Sequence, residues 1–190
     1  MRVDPGLAVE VAPEVFRPAD DSYLLLQAVD VRPGERFLEV GAGTGLLALH
    51  AAKVAELAVA TDVNPHALRS IRDNARRNGL RVAVVRCDLL RGLRGTFDVI
   101  AFNPPYLAER MGGAWEERAW QGGVTGEDVI LRFFDELPER LANRGRCYVT
   151  IPTARERALA QARERFDVRL ADEKPLFFEK LLALELTMRR

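Results

Sequence analysis

The stretch RFLEVGAGTGLLALHAAKVA, residues 36–55, sets the frame in which the rest of the chain is read. RFLEVG (36–41) has the length and apolarity of a buried strand, and Leu46–Ala55 is an alanine- and leucine-rich helix. Gly41, Gly43 and Gly45 lie between them. Glycines let the backbone turn tightly and approach a ligand that a Cβ would obstruct. Strand, glycine turn and helix make the opening of a βαβ unit.

Outward from this stretch the alternation continues. ELAVATD (56–62) reads as strand, and Pro65–Asn78 as a helix with proline in its first turn and Asn78-Gly79 at its end. RVAVVRC (81–87) and TFDVIAF (96–102) are the third and fourth strands. Glu127–Ala142 carries Val129, Ile130, Phe133, Phe134, Leu137 and Leu141 at helical spacing. GRCYVTI (145–151) is strand five, Thr153–Arg165 a helix, Phe166–Leu170 strand six, and 178–188 the seventh strand. Such alternation predicts an α/β fold with a parallel sheet covered on both faces, in one domain spanning 1–190. Ligands in such sheets bind beyond the carboxyl ends of the strands.

Composition narrows the class. The chain is 48% hydrophobic and 29% charged, as in an ordinary globular protein, with 28 basic and 28 acidic residues. That balance speaks against a freestanding nucleic-acid binder, which usually carries a basic surplus. Cys87 and Cys147 are too few for a zinc site or disulfide framework, and read as buried thiols. No apolar segment approaches a membrane span and no secretory signal opens the chain, so a cytoplasmic location is expected.

The strand ends carry acids. Glu39 stands beside the glycine turn, Asp62 closes strand two, and Asp88, followed by Leu89, closes strand three. G-A-G-T-G does not match the G-x-G-x-x-G dinucleotide fingerprint well, and a carboxylate at Glu39 would repel a pyrophosphate. Asp62 is placed to accept from ribose hydroxyls, and Asp88 from an adenine amino group. A cationic nucleoside without phosphate, S-adenosylmethionine, suits this set. The alternative is that the acids only cap neighbouring helices.

Strand four ends in Phe102-Asn103-Pro104-Pro105-Tyr106, a corner both rigid and polar. It is either a stiff turn or a device for chemistry. E-V-G-A-G-T-G with N-P-P-Y downstream resembles class I methyltransferases that act on a planar nitrogen, an adenine amine or a glutamine amide. The resemblance implies that the Asn103 side-chain oxygen and the Pro104 carbonyl accept the two N–H bonds of that nitrogen, while Tyr106 stacks on its plane. The prolines would hold these acceptors in place beforehand. No metal and no covalent enzyme intermediate is implied.

Three further segments resemble the small HemK-like branch: Phe16-Arg17-Pro18-Ala19-Asp20-Asp21-Ser22, Ala119-Trp120-Gln121-Gly122-Gly123 with Gly126 and Asp128, and, most loosely, Lys174–Glu179. Asp20 stands where the branch has glutamate, and Ser22 where it has threonine. The branch implies a Rossmann-like class I methyltransferase fold, a seven-stranded mostly parallel sheet with an antiparallel last strand. It implies cofactor contacts from Ser22, Glu39, Gly41, Asp62, Asp88, Leu89 and Asn103; Gly43, within the same turn, is added to them. The expected substrate is the glutamine of the Gly-Gly-Gln motif in a class I peptide release factor. Alternatives are N6-methylation of adenine in RNA or DNA, and a non-catalytic cofactor-binding scaffold. Fifteen residues before Phe16 are too few for an N-terminal recognition domain, so recognition falls to Ala108–Thr125, the pocket rim or a partner. In the usual strand order strand three is an edge, and its apolar RVAVV (81–85) is the expected dock for a small activator subunit. Trp115 and Trp120 are either substrate contacts or hydrophobic pins. His50 and His66 are read as surface or structural residues.

Overall fold

A computed structural model describes residues 1–105 and 127–189. Its core is one seven-stranded sheet: β1 (Arg36–Val40), β2 (Leu57–Asp62), β3 (Ala83–Arg86), β4 (Phe97–Phe102), β5 (Leu141–Pro152), β6 (Phe166–Pro175) and β7 (Lys180–Met188). The order is β3-β2-β1-β4-β5-β7-β6. β1 through β5 are mutually parallel, and β7 runs antiparallel to both β5 and β6. The fold class read from the sequence, including the antiparallel last strand, is therefore found.

The described helices are α1 (Asp20–Ala28), α2 (Leu46–Ala51), α3 (Pro65–Arg77), α4 (Glu127–Glu136) and α5 (Glu156–Arg165). Two apolar layers sandwich the sheet. Phe102, Ile130, Phe133, Phe134, Leu137 and Phe166 pack on one face, and Leu25, Leu26, Phe37, Leu47, Ile71 and Tyr148 on the other. Strands buried on both faces read as continuous apolar runs, which is why β1, β2 and β4 were legible at once.

Several boundaries move, among them the end of α2, at Ala51 rather than Ala55, and the start of β5, at Leu141 rather than Gly145. The helix expected over 127–142 stops at Glu136 and tightens into a 3₁₀ turn over Leu137–Glu139. Pro138 has no N–H to continue the helix, and the Phe97 N–H donates to the Arg140 carbonyl at 2.8 Å, drawing the chain into β5. β6 runs five residues past Leu170, as far as Pro175. Its polar second half, Asp172-Glu173-Lys174, has no apolar signature but is held by backbone pairing to β7.

The first sixteen residues form no regular element, yet they are tied down along α3. The Ala8 and Glu10 N–H groups donate to the side-chain oxygens of Asn78 and Asn74 at 2.9 and 3.0 Å. Asn74, almost fully buried, donates in turn to the carbonyls of Glu10 and Thr44. The Asp4 N–H donates to His50 Nε2 at 3.0 Å. His50 is thus structural, as expected. β3 is an edge strand, and Val85 on it is exposed. Among the described residues no helix is long and apolar enough to cross a membrane.

Candidate active site

The carboxyl ends of β1, β2 and β4 open onto a cavity of about 290 Å³. Its walls bring together Ser22, Glu39, Gly41, Gly43, Asp62, Asp88, Leu89, Asn103 and Pro104, all singled out in the sequence. Tyr106, Trp115, Trp120 and the stretch Ala108–Thr125 lie outside the described residues.

The glycine turn is left-handed at each glycine, with φ of +60° at Gly41, +53° at Gly43 and +81° at Gly45. Gly45 is also pressed against α3: a Cβ there would stand 3.0 Å from Ile71 Cγ2. This close approach is a structural demand, separate from the cavity, and Gly45 does not line it.

The acids at the strand ends are already engaged by the backbone. The Glu39 carboxylate accepts from the N–H groups of Leu47, at 3.3 Å, and Ala48, at 2.7 Å, in the first turn of α2. Asp62 accepts from Gly43 N–H and Asn64 N–H, both at 2.9 Å. Capping and ligand contact are therefore not exclusive alternatives. A carboxylate has about four acceptor positions, of which two are used at Glu39 and three at Asp62, where the Val63 N–H also contributes. Burial pushes the Glu39 carboxyl up to about 8, helped by the nearby negative charge of Asp62 and opposed by its two backbone hydrogen bonds. Burial likewise raises Asp62. Two adjoining carboxyls driven upward by desolvation favour a cationic guest, whose charge would offset the cost of ionising them.

The third acid is different. Asp88 is half-exposed and paired with Arg132 of α4 at 2.6 Å, with Arg91 at 3.8 Å. Leu89 beside it is buried and takes φ of +53°, uncommon for a residue with a Cβ. Ser22, in the first turn of α1, is buried and its hydroxyl donates to Asp21 Oδ1 at 3.1 Å. Asp20, one methylene short of the glutamate in the resembled segment, pairs with Lys174 at 2.5 Å and does not line the cavity.

Asn103 follows β4 directly, with Pro104 buried and Pro105 exposed at the rim. Its side-chain oxygen accepts a hydrogen bond from the hydroxyl of Thr150, fully buried on the neighbouring strand β5. Sequence reading passed over Thr150. Its signal was there: a hydroxyl within CYVTI (147–151), an otherwise apolar core strand. Also passed over were Val15 and Glu14, which the tethered N-terminal segment brings to the cavity wall. Cys87 and Cys147 are free, buried thiols. Among the described residues no cluster of His, Cys, Asp and Glu is arranged to hold a metal.

Sheet order, left-handed glycine turn, strand-end acids and an Asn-Pro-Pro corner beyond β4 define the class: a Rossmann-like methyltransferase. The chain belongs to the methyltransferase small domain family, whose model matches residues 13–167. It is 39% identical over 145 residues to a Methanocaldococcus jannaschii protein named for N5-glutamine methyltransferase activity, covering 74% of this chain and 73% of that one. It is 38% identical over 151 residues to methyltransferase HEMK2 of Mus musculus, covering 72% and 71%. Among solved structures, the E. cuniculi Mtq2–Trm112 complex, described as responsible for methylation of the eRF1 translation termination factor, superposes with a TM-score of 0.71 at 25% identity. That match covers 92% of this chain and 99% of that one. The HemK-like resemblance read from the sequence is thereby borne out, and the protein is a methyltransferase.

Proposed function

We propose that the protein transfers a methyl group from S-adenosylmethionine to the side-chain amide of the glutamine in the Gly-Gly-Gln motif of a class I release factor. The observation that carries this reading is the Asn103–Pro104 corner facing the same cavity as Glu39 and Asp62. The relatives named for glutamine N5-methylation and for eRF1 methylation support the choice of substrate.

The residues fit the cofactor. Glu39, buried, and Asp62, partly buried, offer a cationic group two carboxyls with acceptor positions to spare. Leu89, Val63 and Val129 supply apolar surface at the same wall. When bound, S-adenosylmethionine supplies an activated methyl on a positively charged sulfur. The rest is the work of the chain. An amide nitrogen is a poor nucleophile because its lone pair is delocalised into the carbonyl. Asn103 Oδ1 and the Pro104 carbonyl each accept one of its N–H bonds, which turns the lone pair out of the amide plane. Thr150 holds the Asn103 amide with its oxygen in position. The prolines keep the backbone acceptor from relaxing, so little reorganisation is left for the moment of transfer. After methylation the nitrogen gives up one of its protons to solvent.

We also propose that a small activator subunit pairs with the β3 edge. Support comes from the exposed Val85 on an edge strand and from the two-protein assembly of the structural relative.

The test is incubation with labelled cofactor and, in parallel, a class I release factor, its Gln→Ala mutant, bulk RNA and bulk DNA. Label on the wild-type factor alone is expected. Label on the mutant factor, or only on nucleic acid, overturns the reading. Asn103→Ala should lose about 100- to 1,000-fold in kcat, the scale of removing one preorganised polar contact.

A further inference from the structure

The β6–β7 hairpin ends in Leu176-Phe177-Phe178-Glu179, and the two phenylalanines are 96% and 97% exposed. Apolar rings in such full contact with water call for an explanation. They are not a loose tip. The Leu176 N–H donates to the Glu179 carbonyl at 2.8 Å, and Thr153 and Lys180 exchange two hydrogen bonds of 2.8 and 3.0 Å. The Ala154 N–H reaches Glu179 Oε2 at 3.2 Å, and Lys174 pairs with Asp20 at 2.5 Å. The rings themselves touch, with centroids 5.5 Å apart. The hairpin is braced to hold them outward.

Topology gives the direction. β7 pairs antiparallel with β5, Leu181 lying opposite Pro152, so the tip projects past the carboxyl end of β5. That is the edge where Asn103 stands, level with Thr150. Two strand spacings sideways and several residues of rise put the rings roughly 15–20 Å from the Asn103 corner. Asp20, to which the hairpin is tied, precedes Asp21 and Ser22 of the cavity wall. A substrate seated at Asn103 must therefore extend well beyond the methylated side chain to reach the rings.

Charge chooses among macromolecules. A nucleic-acid track needs unpaired cations along it. Here Lys174 is paired with Asp20 and Lys180 with Glu173, and Glu179 adds a further acid at the tip. The rings are inclined at 59° to each other, unlike a stacking platform for successive bases. We propose that Phe177 and Phe178 form a docking point for an apolar patch on the body of the protein substrate, away from its methylated glutamine. This inference rests on the protein-glutamine reading above.

The test compares wild type with a Phe177→Ser/Phe178→Ser double variant of the full chain. Both are assayed on an intact class I release factor and on a short peptide carrying Gly-Gly-Gln. On the intact factor the double variant should lose about ten-fold or more in kcat/KM, mainly through KM. On the peptide it should match wild type, and its affinity for S-adenosylmethionine should be unchanged, showing that it is folded. An undiminished double variant on the intact factor overturns the docking point alone. Equal losses on factor and peptide also overturn it, by making the effect structural. A wild type that labels neither factor nor peptide overturns the glutamine reading, and the docking point with it. Loss of label on RNA or DNA, or loss of a wild-type dimer in sedimentation, would assign the rings to nucleic acid or to a second copy.

Discussion

Replacing Thr150 by valine conserves the branched shape of the side chain and deletes one hydroxyl. The site is fully buried, between Val149 and Ile151 near the carboxyl end of β5, so packing hardly changes. What is lost is the donor to Asn103 Oδ1. Asn103 itself is only partly buried, so water can take up some of the slack; the stability cost should stay near 1 kcal/mol, the net worth of an ordinary hydrogen bond. The kinetic cost is larger in kind. Without the hydroxyl the amide can rotate and present its NH₂ where the substrate needs an acceptor. An orientation preference of about 1.4–2.7 kcal/mol corresponds to about 10- to 100-fold in kcat. KM for cofactor and protein substrate should barely move, because the hydroxyl touches neither. Single-turnover transfer to the release factor reads the loss directly, and thermal melts report the stability. Thr150→Ser restores the donor and should recover most of the rate. A valine variant with wild-type turnover would refute the positioning role. So would a serine variant as slow as the valine one, since the methyl group would then be what matters.

Glu39 gives a pH signature. Its carboxyl is raised to about 8 in the fold against an ordinary value near 4.5, so the folded chain holds more protons between those limits. Its contribution to stability is thus full below pH 4.5 and is lost as pH rises toward 8, a few kcal/mol at most. A cationic ligand favours the ionised form, so calorimetric affinity for S-adenosylmethionine should tighten as pH rises to about 8, and Glu39→Gln should flatten that slope. Gly45→Ala meets both a left-handed backbone and Ile71, and should cost about 2 kcal/mol or more in urea unfolding, whereas an unchanged midpoint would contradict the close approach. Val85→Lys on the β3 edge should abolish co-purification with an activator while sparing cofactor binding; a monomer fully active alone would remove the activator from the account.

The elements easiest to read were those buried on both faces. β1, β2 and β4 have no choice of register that keeps their apolar runs out of water, so residue type alone marked them. Asp172-Glu173-Lys174 looked like loop because their place in β6 depends on hydrogen bonds to β7, which leave no mark on side-chain polarity. The end of α4 was hidden in a similar way: Leu137 and Leu141 keep helical spacing, but Pro138 and the pairing of Phe97 with Leu141 decide otherwise.

The candidate site divides along the same line. Glycine turn, strand-end acids and the Asn-Pro-Pro corner are local signals, set by what the backbone must do immediately after each strand, and the sequence by itself determined them along with the order of strand and helix. Only the tertiary structure decided their partners. Glu39 lies over the first turn of α2, Asp88 meets Arg132 across 44 residues, and Thr150 reaches Asn103 across 47. The two phenylalanines of the β6–β7 tip were visible as letters, but that they face water on the edge where Asn103 stands follows from the reversal of β7. Contacts between distant segments are created by sheet order and packing, and a linear pattern carries the propensity to form a strand without saying which strand will lie beside it.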